Sequence, residues 1–228
     1  MSKRLFLLLS LLMTVAAAAQ PKTYFCTIPG ATLRYERYDP DMERHWWTQT
    51  TRIDSIQKQS DGSYNIVFTA NVKSDKVKAP VKGGVSSTSV VHPDGTVDVN
   101  ISEAMSIAAK QRFSIFDFQA EGGISSLKSS IKPGDKLEEI HGAVDWSGIK
   151  FTLDYTQRSV AKRETITVPA GTFDCIVVKE HKLEKAPLHK RDRITYTWYT
   201  YGIGMIRHDT FFTDGRQECT EQLYSIEK

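Results

Sequence analysis

Apolar and polar residues alternate with a period of two along most of this sequence, and that alternation restricts its fold more than any other feature. Tyr64, Ile66, Phe68, Ala70 and Val72 alternate with Asn65, Val67, Thr69 and Asn71. Ile149, Phe151, Leu153 and Tyr155 alternate with Lys150, Thr152 and Asp154. Ile194, Tyr196 and Trp198 alternate with Thr195, Thr197 and Tyr199. Successive side chains of an extended strand point to opposite faces, so this is the pattern of half-buried β-strands. The runs are rich in β-branched and aromatic residues, which strands favour. Asp61-Gly62, Asp94-Gly95 and Asp214-Gly215 are hairpin dipeptides. Pro133-Gly134-Asp135 and Pro169-Ala170-Gly171 are further breaks.

Strands are therefore expected at 31–39, 44–57, 63–73, 84–92, 95–101, 136–141, 145–157, 160–168, 172–183, 192–201, 204–213 and 216–226. One segment departs from the pattern. Ser102 to Gln111 reads SEAMSIAAKQ, which predicts a short helix near 102–111 with Ser102 as its cap. Residues 118–134, with Gly122-Gly123 and several serines, read as a loop crossing. The expected fold is all-β with this minor helix: a large antiparallel sheet curved into a closed or half-open barrel, because closure removes unpaired edges. No linker or internal repeat divides the chain, so residues 20–228 are expected to form a single β-rich domain.

The first 20 residues stand apart. Lys3 and Arg4 precede an apolar stretch from Leu5 to Val15, and Ala17 to Ala19 offer a small-residue cleavage site. This is the form of a secretory signal peptide over 1–19. The apolar stretch is too short to span a bilayer, which takes about 20 residues. No transmembrane segment is expected in the mature chain. Cys26 follows Tyr24-Phe25 rather than a lipidation box. The formal net charge of +3 includes Lys3 and Arg4. Cleavage brings the remainder near neutrality, without the positive footprint of a nucleic-acid binder. The expected location is the periplasm, the outer membrane surface or the medium.

Three cysteines remain, Cys26, Cys175 and Cys219. An oxidising compartment permits one disulfide, and Cys26–Cys219 is the candidate pair because it would join the two ends of the mature chain. Cys175 lies in the apolar run 173–178 and reads as a buried small hydrophobe.

Three motifs carry a family resemblance. They are Glu164-Thr165-Ile166-Thr167-Val168-Pro169-Ala170-Gly171-Thr172-Phe173-Asp174-Cys175, Trp198-Tyr199-Thr200-Tyr201-Gly202-Ile203-Gly204-Met205-Ile206, and the early Gly30-Ala31-Thr32-Leu33-Arg34-Tyr35. Together they resemble the TapB-like family of exported bacterial envelope proteins, with Ala31 a departure from the early motif. The resemblance implies a β-rich envelope domain and brings no catalytic residue with it. Read physically, the motifs are architectural. Pro169 ends one ladder and Gly171 permits reversal. Gly202 and Gly204 suit a turn or bulge between strands.

The six histidines, His45, His92, His141, His181, His189 and His208, show no H-x-H or H-E-x-x-H spacing. The nearest cluster, Glu180-His181 with His189, is ringed by cations, so no metal and no cofactor are expected. There is no G-x-S-x-G elbow. Cys175 with a distant histidine is the one conceivable nucleophile, and Glu138 and Glu139 would diverge in a strand. No catalytic residue is assigned. Lys179 to Arg193 holds six cations and three acids, a solvated hairpin or a contact for lipid phosphates or anionic glycans.

The aromatic residues give the remaining lead. Of Trp46 and Trp47, one should face inward and one outward; Tyr196 and Trp198 share a face. Trp46, Tyr196 and Trp198 are the candidate ligand-binding residues. The leading expectation is a non-enzymatic envelope protein that binds a lipid or other apolar or amphipathic ligand inside a barrel-like sheet. The alternatives are a module that contacts an envelope protein or a glycan, and a hydrolase with an unrecognised site.

Overall fold

The computed structural model describes residues 21–74, 83–103, 105–106, 119–146 and 148–228. The first segment, 1–19, lies outside them. The strands are β1 (Thr32–Tyr38), β2 (His45–Lys58), β3 (Tyr64–Lys73), β4 (Val85–Val91), β5 (Val97–Asn100), β6 (Gln119–Gly122), β7 (Ile124–Leu127), β8 (Ile140–Trp146), β9 (Ile149–Val168), β10 (Gly171–Ala186), β11 (His189–Thr200), β12 (Gly204–Phe212) and β13 (Gln217–Glu227). They form one 13-stranded sheet in the order β6-β8-β9-β10-β11-β12-β13-β1-β2-β3-β4-β5-β7, antiparallel at every pairing. The sheet curls into a nearly closed barrel, as the alternation predicted.

Closure occurs in the segment expected to be a loop. β6 pairs with β8 at one edge of the sheet, and β7 pairs with β5 at the other. Gly123 alone separates β6 from β7. Its N–H donates to the His141 carbonyl, and its own carbonyl accepts from Ile101, so one residue bonds to both sides of the seam. Gly122 and Gly123 have φ of 61° and 74°. A Cβ on Gly123 or on Gly142 would stand 2.2 or 2.1 Å from the Ser102 hydroxyl oxygen, which occupies the slot between them. Only glycine fits either position.

Arg158 adds a side-chain clamp. Its guanidinium donates to Glu180 on β10 at 2.6 Å, to the Glu138 carbonyl at 2.6 Å and to the Ser125 hydroxyl on β7 at 3.1 Å. This buried group therefore links β9 to the far edge of the sheet.

The helix is present but is capped differently from the expectation. Residues 101–103 and 105–106 are helical; the rest of the expected span to 111 lies outside the described residues. The cap is Asn100, whose side-chain oxygen accepts from the Glu103 N–H. Ser102 instead donates to the Glu121 carbonyl at the seam.

Two further expectations are corrected. The expected strand at 145–157 begins in the end of β8, and from Ile149 it is continuous with the one expected at 160–168, as the 20-residue strand β9. Gln157 has φ +50°, and the β9–β10 register shifts beside it. That bulge breaks the alternation without ending the strand. The strand at 136–141 is reduced to a single bridge at Lys136 before β8 begins.

The barrel interior is divided along its axis. One end is packed with Leu33, Ile53, Ile66, Val91, Val97, Ile176, Val178, Ile206 and Leu223, none more than 3% exposed. The segment 21–30 covers this end. Thr27 donates to the Gly202 carbonyl, Gly202 donates to Thr23, and Tyr24 stacks on Tyr201 at 4.3 Å. A Cβ at Gly204 would lie 3.3 Å from the Tyr24 carbonyl oxygen, so the Gly-Ile-Gly motif is where this segment seats. The other end carries charged and hydroxyl side chains.

Candidate functional site

Cross-strand partners share a face, so the register assigns every inner residue. Trp47 pairs with Arg37, Arg37 with Glu221, Glu221 with His208, and His208 with Thr197. On β10 the same face carries Glu180, Lys182 and Glu184, and Lys182 stands beside Tyr155 of β9. This face is the concave one. Arg37 and Tyr155 act on each other electrostatically, although β10, β11, β12 and β13 separate their strands in the sheet. Only a path across the interior brings them close.

Tyr35 and Tyr199 mark the floor of this charged half. The Tyr35 hydroxyl donates to the Met205 carbonyl at 3.1 Å. Burial pushes both phenols far above their ordinary range, so both remain neutral donors. Above them, Arg37 donates to one Glu221 oxygen through Nε at 2.9 Å and Nη2 at 2.6 Å. Its guanidinium lies 4.0 Å from the centre of the Trp47 ring. The Trp47 indole N–H is buried without a hydrogen-bond partner. Lys182 pairs with Glu184 at 2.7 Å. At the rim, Arg191 and Arg193 both reach Glu218.

His208 is the centre of this arrangement. Its Nδ1 lies 2.8 Å from the Thr197 hydroxyl. Burial first, and then the positive charges of Arg37 and Lys182, hold its pKa well below the ordinary imidazole range. The ring is therefore neutral at pH 7. The carboxylates of Glu221 and Glu184 are engaged by their own partners, while the charges felt at the imidazole are the two cations. Both cations near the imidazole are themselves paired with carboxylates.

Water reaches this half. The side chains of Arg37 and Lys182 retain 17% and 22% of their accessible surface, against 3% or less for the apolar end. Trp47, Gln49, Tyr155, Tyr199 and His208 are half-buried. The arrangement offers several N–H and O–H donors to a group that enters from the open end.

The three aromatic residues singled out from sequence stand elsewhere. Tyr196 and Trp198 do share a face, with ring centres 6.4 Å apart, but it is the convex one. Tyr196 packs edge-on against Phe211 at 5.7 Å with Lys179 above it. Trp198 lies under Arg207 and donates to Glu164. Of the adjacent tryptophans, Trp47 turns inward; Trp46 turns outward toward Arg44.

The cysteines are all buried and free, so the candidate Cys26–Cys219 bridge is not made. Cys26 belongs to the segment under the apolar end, whereas Cys219 lies on β13 beyond Glu221, toward the charged end. Cys175 lies on the convex face, and its thiol donates to the Phe173 carbonyl. Burial, then Asp174 and Glu164, push it up to about 12, the reverse of an activated thiol. His181, part of the cluster weighed as a metal site, sits between Thr156 and Asp192. Among the described residues no three ligand-type side chains gather around a common point.

A family profile described as DUF3108-like matches residues 29–223. The chain belongs to the DUF3108-like family. The three motifs that resemble TapB-like proteins fall inside the matched stretch. No curated protein matches the sequence. Two solved structures are similar in fold. One, from Bacteroides fragilis NCTC 9343, is described as an exported protein with a YmcC-like fold; it has a TM-score of 0.74 at 17% identity, covering 91% of this chain and 100% of that one. The other, from Parabacteroides distasonis ATCC 8503, is described as a lipoprotein; its TM-score is 0.73 at 14% identity, covering 92% of this chain and 100% of that one. At these identities the likeness is one of fold. No helix among the described residues is long and apolar enough to cross a membrane.

Proposed function

We propose that this DUF3108-like chain is a non-catalytic, exported binding protein that holds an amphipathic ligand by an acceptor-rich, anionic head in the open half of its barrel. The observation that carries the reading is the convergence of Arg37, Lys182 and neutral His208 from β1, β10 and β12 on one water-accessible inner face. Trp47, Tyr155 and Tyr199 supply aromatic walls for the less polar part of the ligand. A wholly apolar ligand would have no place, because the apolar end is filled. Export is supported by the signal-like segment 1–19 and by the descriptions of the two structural neighbours.

The test is native mass spectrometry of protein purified gently from an envelope fraction, followed by the denatured mass. The expected result is a reproducible mass excess, lost on denaturation and lost from the Arg37→Ala/Lys182→Ala variant. A bare chain mass in the unaltered protein would overturn the reading.

A second reading is favoured by the convex surface, where the part-exposed Trp46 and Tyr196 carry cations over their rings, beside the buried Trp198. This face would contact an envelope protein or a glycan. Tyr196→Ala would then abolish partner capture while leaving the mass excess intact.

A further inference from the structure

The turn between β10 and β11 combines four locally unfavourable choices. Leu188 is fully exposed, at 109%, while among the described residues the next most exposed large hydrophobic, Ile124, stands at 51%. Leu188 also has φ +62°, a left-handed conformation that strains any residue with a Cβ. Pro187 fixes a negative φ before it, which excludes the primed turns that suit two-residue hairpins. Lys185 and Lys190 lie directly opposite each other in the register, where like charges repel. Between residues 185 and 190 there is no acid, and the nearest acidic contact is Asp192, 3.8 Å from the Lys190 ammonium. A solvated hairpin tip gains nothing from any of these. Strain and mismatch that local structure does not explain point to a contact outside the molecule.

We propose that this tip docks on an anionic phospholipid surface, with Leu188 entering the acyl boundary and Lys185 and Lys190 against the head-group phosphates. Each feature then has a use. The left-handed turn holds the leucine at the extreme end of the hairpin. The facing lysines straddle it and find counter-charges. The tip continues the strands that carry Lys182, Glu184 and Arg191, so docking turns the charged mouth of the barrel toward the membrane. The inference is independent of any ligand in that mouth. Burying one leucine is worth roughly tenfold or more in affinity. Each lysine near an anionic surface is worth about fivefold. The attachment is therefore weak and reversible, and salt weakens it further.

The test is co-sedimentation of the full chain, exported by a bacterial host, with two vesicle types: pure phosphatidylcholine, and phosphatidylcholine with about one third phosphatidylglycerol. Binding is expected only to the anionic vesicles, and release is expected in about 1 M salt, where charges are screened within a few ångströms. Leu188→Gly is the decisive variant. It removes the strain, so its melting temperature should hold or rise, yet its vesicle affinity should fall about tenfold. Lys185→Glu/Lys190→Glu should lose at least 25-fold, the product of about fivefold at each site. The proposal is overturned if the unaltered chain binds neither vesicle, if it binds both equally, or if Leu188→Gly binds as well as the parent.

Discussion

The two halves of the barrel interior are built by the same strands yet obey different rules. Along β1, Leu33 and Tyr35 face the packed end and Arg37 the open one; along β13 the sequence is Leu223, Glu221, Cys219. The apolar end excludes water and is held by close packing. The charged end admits water and is held by paired side chains, some left incomplete, such as the indole N–H of Trp47 and the hydroxyl of Thr195. The difference teaches that strand geometry sets the frame, and that the site can change independently of the floor that stabilises it.

The largest expected effect tests whether that separation is complete. Arg158 lies between the halves and clamps the seam. Arg158→Ala strands Glu180 in the interior and should cost about 3–5 kcal/mol, read by denaturant unfolding. Replacing both partners by apolar residues, Arg158→Met with Glu180→Leu, should recover most of the loss. Failure to recover would mean that the clamp positions the seam through its bonds to Ser125 and Glu138. In the packed end, Ile53→Ala should cost about 2–5 kcal/mol without altering the mass excess.

His208 sharpens the comparison through pH. Its folded-state pKa is depressed, whereas the unfolded chain restores an imidazole near about 6.5. Between those values the unfolded state binds more protons, so stability falls as pH drops below about 6.5 toward the folded-state value. His208→Gln should flatten that part of a melting-temperature profile. The smallest effect is at Thr195, fully buried on the inner face with no partner for its hydroxyl. Thr195→Val should be neutral or stabilise by up to about 1 kcal/mol, measured in the same unfolding experiment.

Most strands were legible because alternation is a local signal that the barrel preserves. The exceptions have physical causes. Gly122-Gly123 has turn composition, yet the glycines serve a strand that changes partners, which is a property of the whole sheet. Gln157 hides the continuity of β9 behind a bulge. The site itself was not legible. Alternation shows that Thr197 and Trp198 face opposite ways, but not which way the sheet bends. Large aromatic residues suggest the inside, and here Tyr196 and Trp198 are outside, while threonines, an arginine and a histidine join Trp47, Tyr155 and Tyr199 on the concave face. The signal that was available is the series Arg37, Glu221 and His208, charged or polar residues at inward-compatible positions of strands otherwise rich in apolar groups.

The pairing of β1 with β13 has one further consequence. Thr32 stands opposite Glu227, so the first and last strands meet in the middle of the sheet, while the sheet's edges lie in the middle of the chain. Of the described strands, the one synthesised after all the others is therefore a central one. Until β13 emerges, β1 and β12 are both raw edges, and loop closure across nearly the whole chain must precede the reward of pairing. Truncation near Cys219 would therefore remove the middle of the sheet, an all-or-none loss rather than a trimmed end.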